Sequence, residues 1–189
     1  MKKIYLIKAE VVLEELPQKI IDHISLYQDR KRYYYSLGIW SYLNRILREE
    51  YKVILNDENI IFTKSGKPYL LSSEYYFSLS HTDNYFAIMI SDEPCGVDIQ
   101  KSFDNLKIAN KILTENEFKE FEESIDKKDF LNRKWVKKEA FGKWNGAGIN
   151  HQTFQQEISI EDVVVFDNTY LGFYPNTNSE IIKYNFQEE

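Results

Sequence analysis

The 189 residues carry 24 Lys/Arg against 30 Asp/Glu, for a net charge of −6, and 43% are hydrophobic. A chain of this size and apolar content buries a substantial core as one large domain or two small ones, and its acidity argues against a nucleic-acid partner, which needs a basic footprint. The single cysteine, Cys95, excludes an intramolecular disulfide and fits a reducing compartment. The apolar run behind Met1-Lys2-Lys3 is too short for a signal peptide, and no run approaches the roughly 20 apolar residues of a membrane span, so a cytoplasmic protein without a membrane partner is expected.

Residues 3–8 read as a first strand, and residues 15–26 as a short helix with Ile20, Ile21 and Ile24 at helical spacing. Asp29 is a candidate N-cap for a long helix to about residue 50, in which Leu37, Trp40, Leu43 and Leu47 recur at intervals of three and four. Arg45 and Arg48 lie near its end, where the dipole favours cations. Lys64-Ser65-Gly66-Lys67-Pro68-Tyr69 is a turn by composition. Residues 75–81 and 84–91 read as two strands of a hairpin, joined by a tight turn at Thr82-Asp83-Asn84. Asp92-Glu93-Pro94 breaks the second strand, and Gly96 to Gln100 forms a third.

Thr114-Glu115-Asn116-Glu117 is a capping box. Residues 129–144 form a second long helix, ended by Gly146 and Gly148. Strand-like runs follow at 156–165, 169–174 and 180–186, with Pro175-Asn176-Thr177-Asn178 as the turn between the last two. Gln187-Glu188-Glu189 is expected to fray. Each half, residues 1–94 and 95–189, thus reads as helix followed by short strands, a weak duplication of one α+β unit with its join near residues 92–104. No Gly/Ser linker separates the halves, so they are expected to share an interface. Residues 1–94 carry 12 Lys/Arg against 13 Asp/Glu, and residues 95–189 carry 12 against 17. An anionic ligand would therefore need a local basic pocket.

In the second long helix, Trp135, Glu139 and Lys143 fall four residues apart, in one row. Glu139 and Lys143 are either an ordinary ion pair, worth roughly 0.2–0.5 kcal/mol on an exposed helix, or a carboxylate aimed at a metal or a proton beside an ammonium aimed at a phosphate. Lys137 and Lys138 are expected on the solvated face and Trp135 in the core. In the strand before it, Val97 and Ile99 face one way, Asp98 and Gln100 the other. That oxygen-bearing pair is either a polar strand end or half of a Mg²⁺ site, since Mg²⁺ takes oxygen ligands from carboxylates, phosphates and water. Ser80 and His81 are structural or are donors to a phosphate. Lys67 is a turn lysine or a ligand contact. Arg30-Lys31-Arg32 is a solvated helix start or a phosphate grip.

Four segments stand in a telling order: Gly66-Lys67-Pro68, Phe77-Ser78-Leu79-Ser80-His81, Gly96-Val97-Asp98-Ile99-Gln100 and Trp135-Val136-Lys137-Lys138-Glu139-Ala140-Phe141-Gly142-Lys143. In this order and wording the chain resembles the 4′-phosphopantetheinyl transferase superfamily. The last segment matches that family's Trp-x-x-Lys-Glu-Ala-x-x-Lys signature at every fixed position, and the likeness covers roughly residues 30–150. Gly-Lys-Pro and Ser-His upstream of the Asp motif point to the surfactin-type branch. Its members are intramolecular pseudo-dimers of two similar α+β halves with the site between them, so a monomer is expected, whereas small holo-acyl-carrier-protein synthases are single halves that trimerise.

The resemblance implies transfer of 4′-phosphopantetheine from coenzyme A, with Mg²⁺, to a serine of an apo acyl- or peptidyl-carrier protein. Adenosine 3′,5′-bisphosphate is the other product. Carried over by position, Asp98 and Glu139 look like metal-binding acids, with Glu139 also the base for the carrier serine. Lys143 would neutralise the pyrophosphate, Ser80 and His81 would contact coenzyme A phosphates, and Lys67 would lie near the adenosine end. Two departures stand out. Gln100 occupies a position where many relatives have Glu, which predicts a weak or water-mediated ligand and a looser metal requirement. Tyr35 precedes Ser36-Leu37-Gly38 where relatives often have Arg, which leaves Arg32, one turn earlier, as the candidate phosphate contact. A non-catalytic relative that binds coenzyme A or a carrier protein, and another Mg²⁺-dependent phosphotransferase or phosphodiesterase, are the competing readings.

Overall fold

The computed structural model describes residues 2–10, 12–176 and 179–184. The expected fraying of 187–189, the end of the 180–186 run and part of the turn at 175–178 lie outside the described residues. In chain order the elements are β1 (Lys2–Lys8), α1 (Gln18–Ser25), α2 (Arg30–Glu50), β2 (Ile60–Phe62), β3 (Pro68–Leu70), β4 (Tyr76–His81), β5 (Tyr85–Ser91) and β6 (Gly96–Lys101). A 3₁₀ turn at Leu106–Ile108 leads into α3 (Ala109–Ile112), α4 (Glu115–Glu123), α5 (Lys127–Asn145), α6 (His151–Phe154), β7 (Val164–Phe166), β8 (Thr169–Tyr174) and β9 (Ser179–Tyr184). The fold is mixed α+β, and no described helix is long and apolar enough to cross a membrane.

Alternation in β1 and β5 sends Tyr5, Ile7, Phe86, Ile88 and Ile90 to one face of the sheet β4-β5-β1-β9, where they meet Ile39, Leu43, Ile46 and Leu47 of α2. Ile4, Leu6, Ala87 and Met89 leave from the other face and pack on Val97, Ile99, Leu171 and Phe173 of the sheet β6-β8-β7. Each fully buried Leu or Ile of these layers contributes about 1.5–3 kcal/mol. α5 covers the outer face of the second sheet, where Val136 meets Tyr170 and Val163. The layers therefore run α2, sheet, sheet, α5. Val97 and Ile99 face the first sheet, as their alternation requires, and Asp98 on the other side of the strand faces α5. β9 returns from the second half to pair in parallel with β1.

The helix ends follow their sequence signals. The Asp29 carboxylate accepts the N–H groups of Lys31 and Arg32 at 2.7 and 3.0 Å. The capping box is complete: Glu117 N–H donates to Thr114 Oγ1 at 3.2 Å, and Thr114 N–H to Glu117 Oε2 at 3.1 Å. Gly146 ends α5 in the left-handed conformation, φ 74°, where glycine carries no Cβ penalty.

Two expectations fail. Lys137 and Lys138 are not solvated; both are 0% exposed. Lys138 Nζ donates to Glu117 at 2.6 Å and to the Phe154 carbonyl at 2.7 Å, and Lys137 Nζ to Asp162 at 2.9 Å and to the Phe173 carbonyl at 2.7 Å. A buried ammonium persists only with such partners. The run 156–165 is strand only from Val164. Before that, its backbone is taken up by side chains: Ile158 N–H donates to Glu117, the Ile158 carbonyl accepts Lys134, and the Val163 carbonyl accepts Arg133. The sequence shows the β2–β3 hairpin only as its turn and gives no sign of α6, because both are too short to show a period.

Candidate functional site

α5 lies against its sheet almost backbone to backbone. A Cβ on Gly96 would stand 2.0 Å from the Ala140 carbonyl oxygen, and one on Gly172 would stand 2.8 Å from that of Val136. Only glycine permits this approach at either position. The glycine of Gly96-Val97-Asp98 is thus the reason that α5 sits close enough for its Glu139–Lys143 row to meet Asp98.

Asp98 is buried, and its Oδ1 accepts Ser80 Oγ at 2.7 Å and Lys143 Nζ at 2.8 Å. Lys143 Nζ also donates to the carbonyls of Leu79 and Val97 at 3.1 and 3.0 Å. Ser80 Oγ accepts Ile99 N–H at 3.2 Å, and Ser78 Oγ accepts Val97 N–H at 3.0 Å. The two serines therefore join β4 to β6 across the seam between the sheets. The hydroxyl hydrogen of Ser80 goes to Asp98, and the three hydrogens of Lys143 to Asp98 and the seam carbonyls.

Glu139 is half-buried, and no described residue hydrogen-bonds its carboxylate. Burial, reinforced by the charge of Asp98 and opposed by Lys143, pushes its pKa up to about 7. The electrostatics are those of two carboxylates with one lysine between them. Asp98 Oδ2 and Glu139 offer hard oxygens without a competing donor, which fits Mg²⁺, an ion that takes one or two carboxylates together with water and phosphate oxygens. Gln100 shares the face of Asp98, but its amide donates to the Lys101 carbonyl at 3.1 Å. Among the described residues no cluster of three or more His, Cys, Asp or Glu forms a complete metal cage.

Two cavities meet at Lys143. One, of about 400 Å³, is lined by His23, Tyr27, Arg32, Ser36, Ser80 and His81, among others. Arg32 stacks over the Tyr27 ring at 4.1 Å, and the half-buried His81 lies 5.7 Å from Tyr35, centroid to centroid. Burial, with the nearby charges of Lys143 and Arg32, holds the His81 pKa below its usual value. The other cavity, of about 340 Å³, runs between Ser65–Pro68 and the end of α5 as far as Ile149.

Arg32, Lys67, Ser80, His81, Asp98, Glu139 and Lys143 thus gather around one seam, with Gln100 at its edge. Lys67 lines the second cavity, and its Nζ donates to the carbonyls of Lys143 and Trp144. His23 was missed. It stacks on Phe62 at 4.1 Å and lines the Arg32 cavity, and nothing in its local sequence separates it from an ordinary residue of an amphipathic helix.

A family model described as the 4′-phosphopantetheinyl transferase superfamily matches residues 94–187. The chain is 36% identical over 84 residues to the 4′-phosphopantetheinyl transferase gsp of Aneurinibacillus migulanus, covering 41% of this chain and 35% of that protein. It is 23% identical over 131 residues to the 4′-phosphopantetheinyl transferase Sfp of Bacillus subtilis (strain 168), covering 62% and 58%. It is also 45% identical over 53 residues to the holo-[acyl-carrier-protein] synthase of Streptococcus sanguinis (strain SK36), covering 27% and 44%. The chain spans about half the length of the curated relatives it matches. With its motifs brought together at one seam, this chain resembles the 4′-phosphopantetheinyl transferase superfamily, and its likeness to gsp and Sfp sets it beside the surfactin-type branch.

Proposed function

We propose that this chain transfers the 4′-phosphopantetheine group of coenzyme A to a serine of an apo acyl- or peptidyl-carrier protein. The observation that carries the reading is that Lys143, which lines both cavities, one of them also lined by Arg32 and His81, donates to Asp98, whose charge also acts on Glu139 one turn earlier on α5. The serine oxygen forms a bond to the β-phosphorus of coenzyme A, and the bond from that phosphorus to the bridging oxygen breaks, releasing adenosine 3′,5′-bisphosphate. With no metal bound, burial and the charge of Asp98 push the Glu139 pKa up to about 7, and we assign it the serine proton, taken directly or through water. Lys143 supplies positive charge beside the pyrophosphate, and Arg32 and His81 bind the outer phosphate. Mg²⁺, held by Asp98 and Glu139 with Gln100 at most a weak contact, would neutralise charge on the pyrophosphate when bound.

The similar build of the two halves, α2 on one sheet and α5 on the other, supports an intramolecular pseudo-dimer, which we take to work as a monomer in the cytoplasm. The test is direct. Incubated with coenzyme A, Mg²⁺ and apo carrier protein, the protein is expected to add one phosphopantetheine mass to the carrier, and Glu139→Ala to abolish the gain. Binding of coenzyme A without transfer to any carrier would favour the accessory reading that Gln100 keeps open.

A further inference from the structure

The last turn of a helix leaves carbonyls without intrahelical partners, and these carry the negative end of the dipole. At the end of α5 they are met from the other half of the molecule. The turn between β2 and β3 reaches across: Lys67 Nζ donates to the carbonyls of Lys143 and Trp144, the latter at 2.9 Å, and Ser65 Oγ donates to the Gly146 carbonyl at 3.2 Å. The turn is itself braced, with Lys67 N–H donating to Thr63 Oγ1 at 3.0 Å. Gly66 in the left-handed conformation, φ 83°, sets the direction of Lys67. The Lys67 ammonium is half-buried, with two of its hydrogens on helix carbonyls.

We propose that Lys67 is a positioning residue, assisted by Ser65: the β2–β3 turn clamps the C-terminus of α5 and so sets where Glu139 and Lys143 stand relative to Asp98. The clamp acts on the peptide of Lys143 itself, one turn beyond Glu139. It also holds together the two walls of the 340 Å³ cavity, Ser65–Pro68 on one side and Gly142–Ile149 on the other. Lys67 thereby couples the first half of the chain to the catalytic row of the second without donating a hydrogen bond to substrate. The kinetic part of this proposal rests on the transferase reading; the structural part does not.

The experiment separates them. Hydrogen exchange is measured on the full chain without ligands for wild type, Lys67→Met, Lys67→Arg and the milder Ser65→Ala. In Lys67→Met the amides of the last turn of α5 are expected to exchange about tenfold faster while those of α2 keep their rates, as for local opening of one segment. Ser65→Ala should show a smaller change at the same amides, and Lys67→Arg, which keeps a cation on the carbonyls, should restore most protection. In the carrier-modification assay, Lys67→Met is expected to lower kcat by about tenfold through misplacement of the row, with KM for coenzyme A and for 3′-dephospho-coenzyme A altered equally. Unchanged exchange at the end of α5 overturns the clamp. A raised KM for coenzyme A alone, with kcat intact, makes Lys67 a 3′-phosphate ligand and overturns the positioning role. A wild type without transferase activity refutes the functional reading and leaves the exchange result to decide the clamp.

Discussion

The two long helices, α2 with 21 residues and α5 with 19, each cover a sheet, but they are held by different physics. α2 buries Ile39, Trp40, Tyr42, Leu43, Ile46 and Leu47 against Tyr5, Phe86 and Ile88. That contact is strong but non-directional, so it tolerates small shifts. α5 buries few large apolar side chains and instead three lysines, Lys134, Lys137 and Lys138, each on fixed acceptors. Hydrogen-bonded ion pairs and backbone contacts over glycine fix rotation and height as well as adhesion. The difference teaches that the helix carrying the proposed catalytic row is the one whose position is specified bond by bond.

Removing one partner from each system tests the contrast most severely. Glu117 accepts Lys134 at 3.2 Å, Lys138 at 2.6 Å, and the N–H groups of Thr114 and Ile158. Glu117→Ala strands two buried ammonium groups and is expected to cost about 3–5 kcal/mol; Leu43→Ala in α2 is expected to cost about 2–5 kcal/mol. The discriminating variable is pH. Burial alone would raise the Glu117 pKa, but Lys138, the Thr114 N–H and Lys134 outweigh it and hold it below the usual glutamate value of 4.5. A depressed carboxylate contributes its stability above the unfolded pKa and loses it as pH falls through the folded one. The Glu117→Ala penalty should therefore be full at neutral pH and shrink in acid, while the Leu43→Ala penalty stays level. Urea unfolding across pH measures both, and parallel curves would erase the distinction between the helices.

A single methyl group probes the same contrast more gently. Ile46→Val deletes one from the α2 core and is expected to cost about 0.5–1.5 kcal/mol. Gly96→Ala adds one where the Ala140 carbonyl oxygen leaves 2.0 Å, so α5 must lift, at about 1–3 kcal/mol. Activity separates the two further: Ile46→Val should retain carrier modification, while Gly96→Ala should lose most of it, since Glu139 moves away from Asp98. Equal activities would mean that the height of α5 is not critical.

This division also sets what could be read from sequence. The row Trp135–Glu139–Lys143, the alternation that isolates Asp98 from Val97 and Ile99, and the Thr114–Glu117 box are local patterns, and local geometry delivers them. The α2 core was legible for the same reason. The burial of Lys137 and Lys138 was not, because a lysine next to lysine reads as solvated until Glu117, Asp162 and the carbonyls of Phe154 and Phe173 arrive from distant segments. Lys67 marks the same limit: its partners at Lys143 and Trp144 lie 76 and 77 residues away. Residues 156–163 failed as a strand because their backbone groups bond to side chains of Glu117, Arg133 and Lys134 rather than to a neighbouring strand.

The smallest effect lies at Gln100, on the edge of the site. Gln100→Glu places a third carboxylate on the face that holds Asp98, within reach of the charge that already contributes to lifting Glu139. Without metal the added like charge should lower stability slightly, by about 0.2–1 kcal/mol for a partly exposed group. With Mg²⁺ the sign should reverse, because a cation that binds only the folded state stabilises it by mass action and a charged oxygen ligand binds a hard cation more tightly than an amide. Thermal melts of wild type and Gln100→Glu, in chelator and across a Mg²⁺ titration, read this without any turnover. Crossing curves, with the variant less stable in chelator and more stable at high Mg²⁺, would place Gln100 at the metal. Curves offset by a constant at all Mg²⁺ concentrations would confine the metal to Asp98 and Glu139 and leave the strand end without a part in binding it.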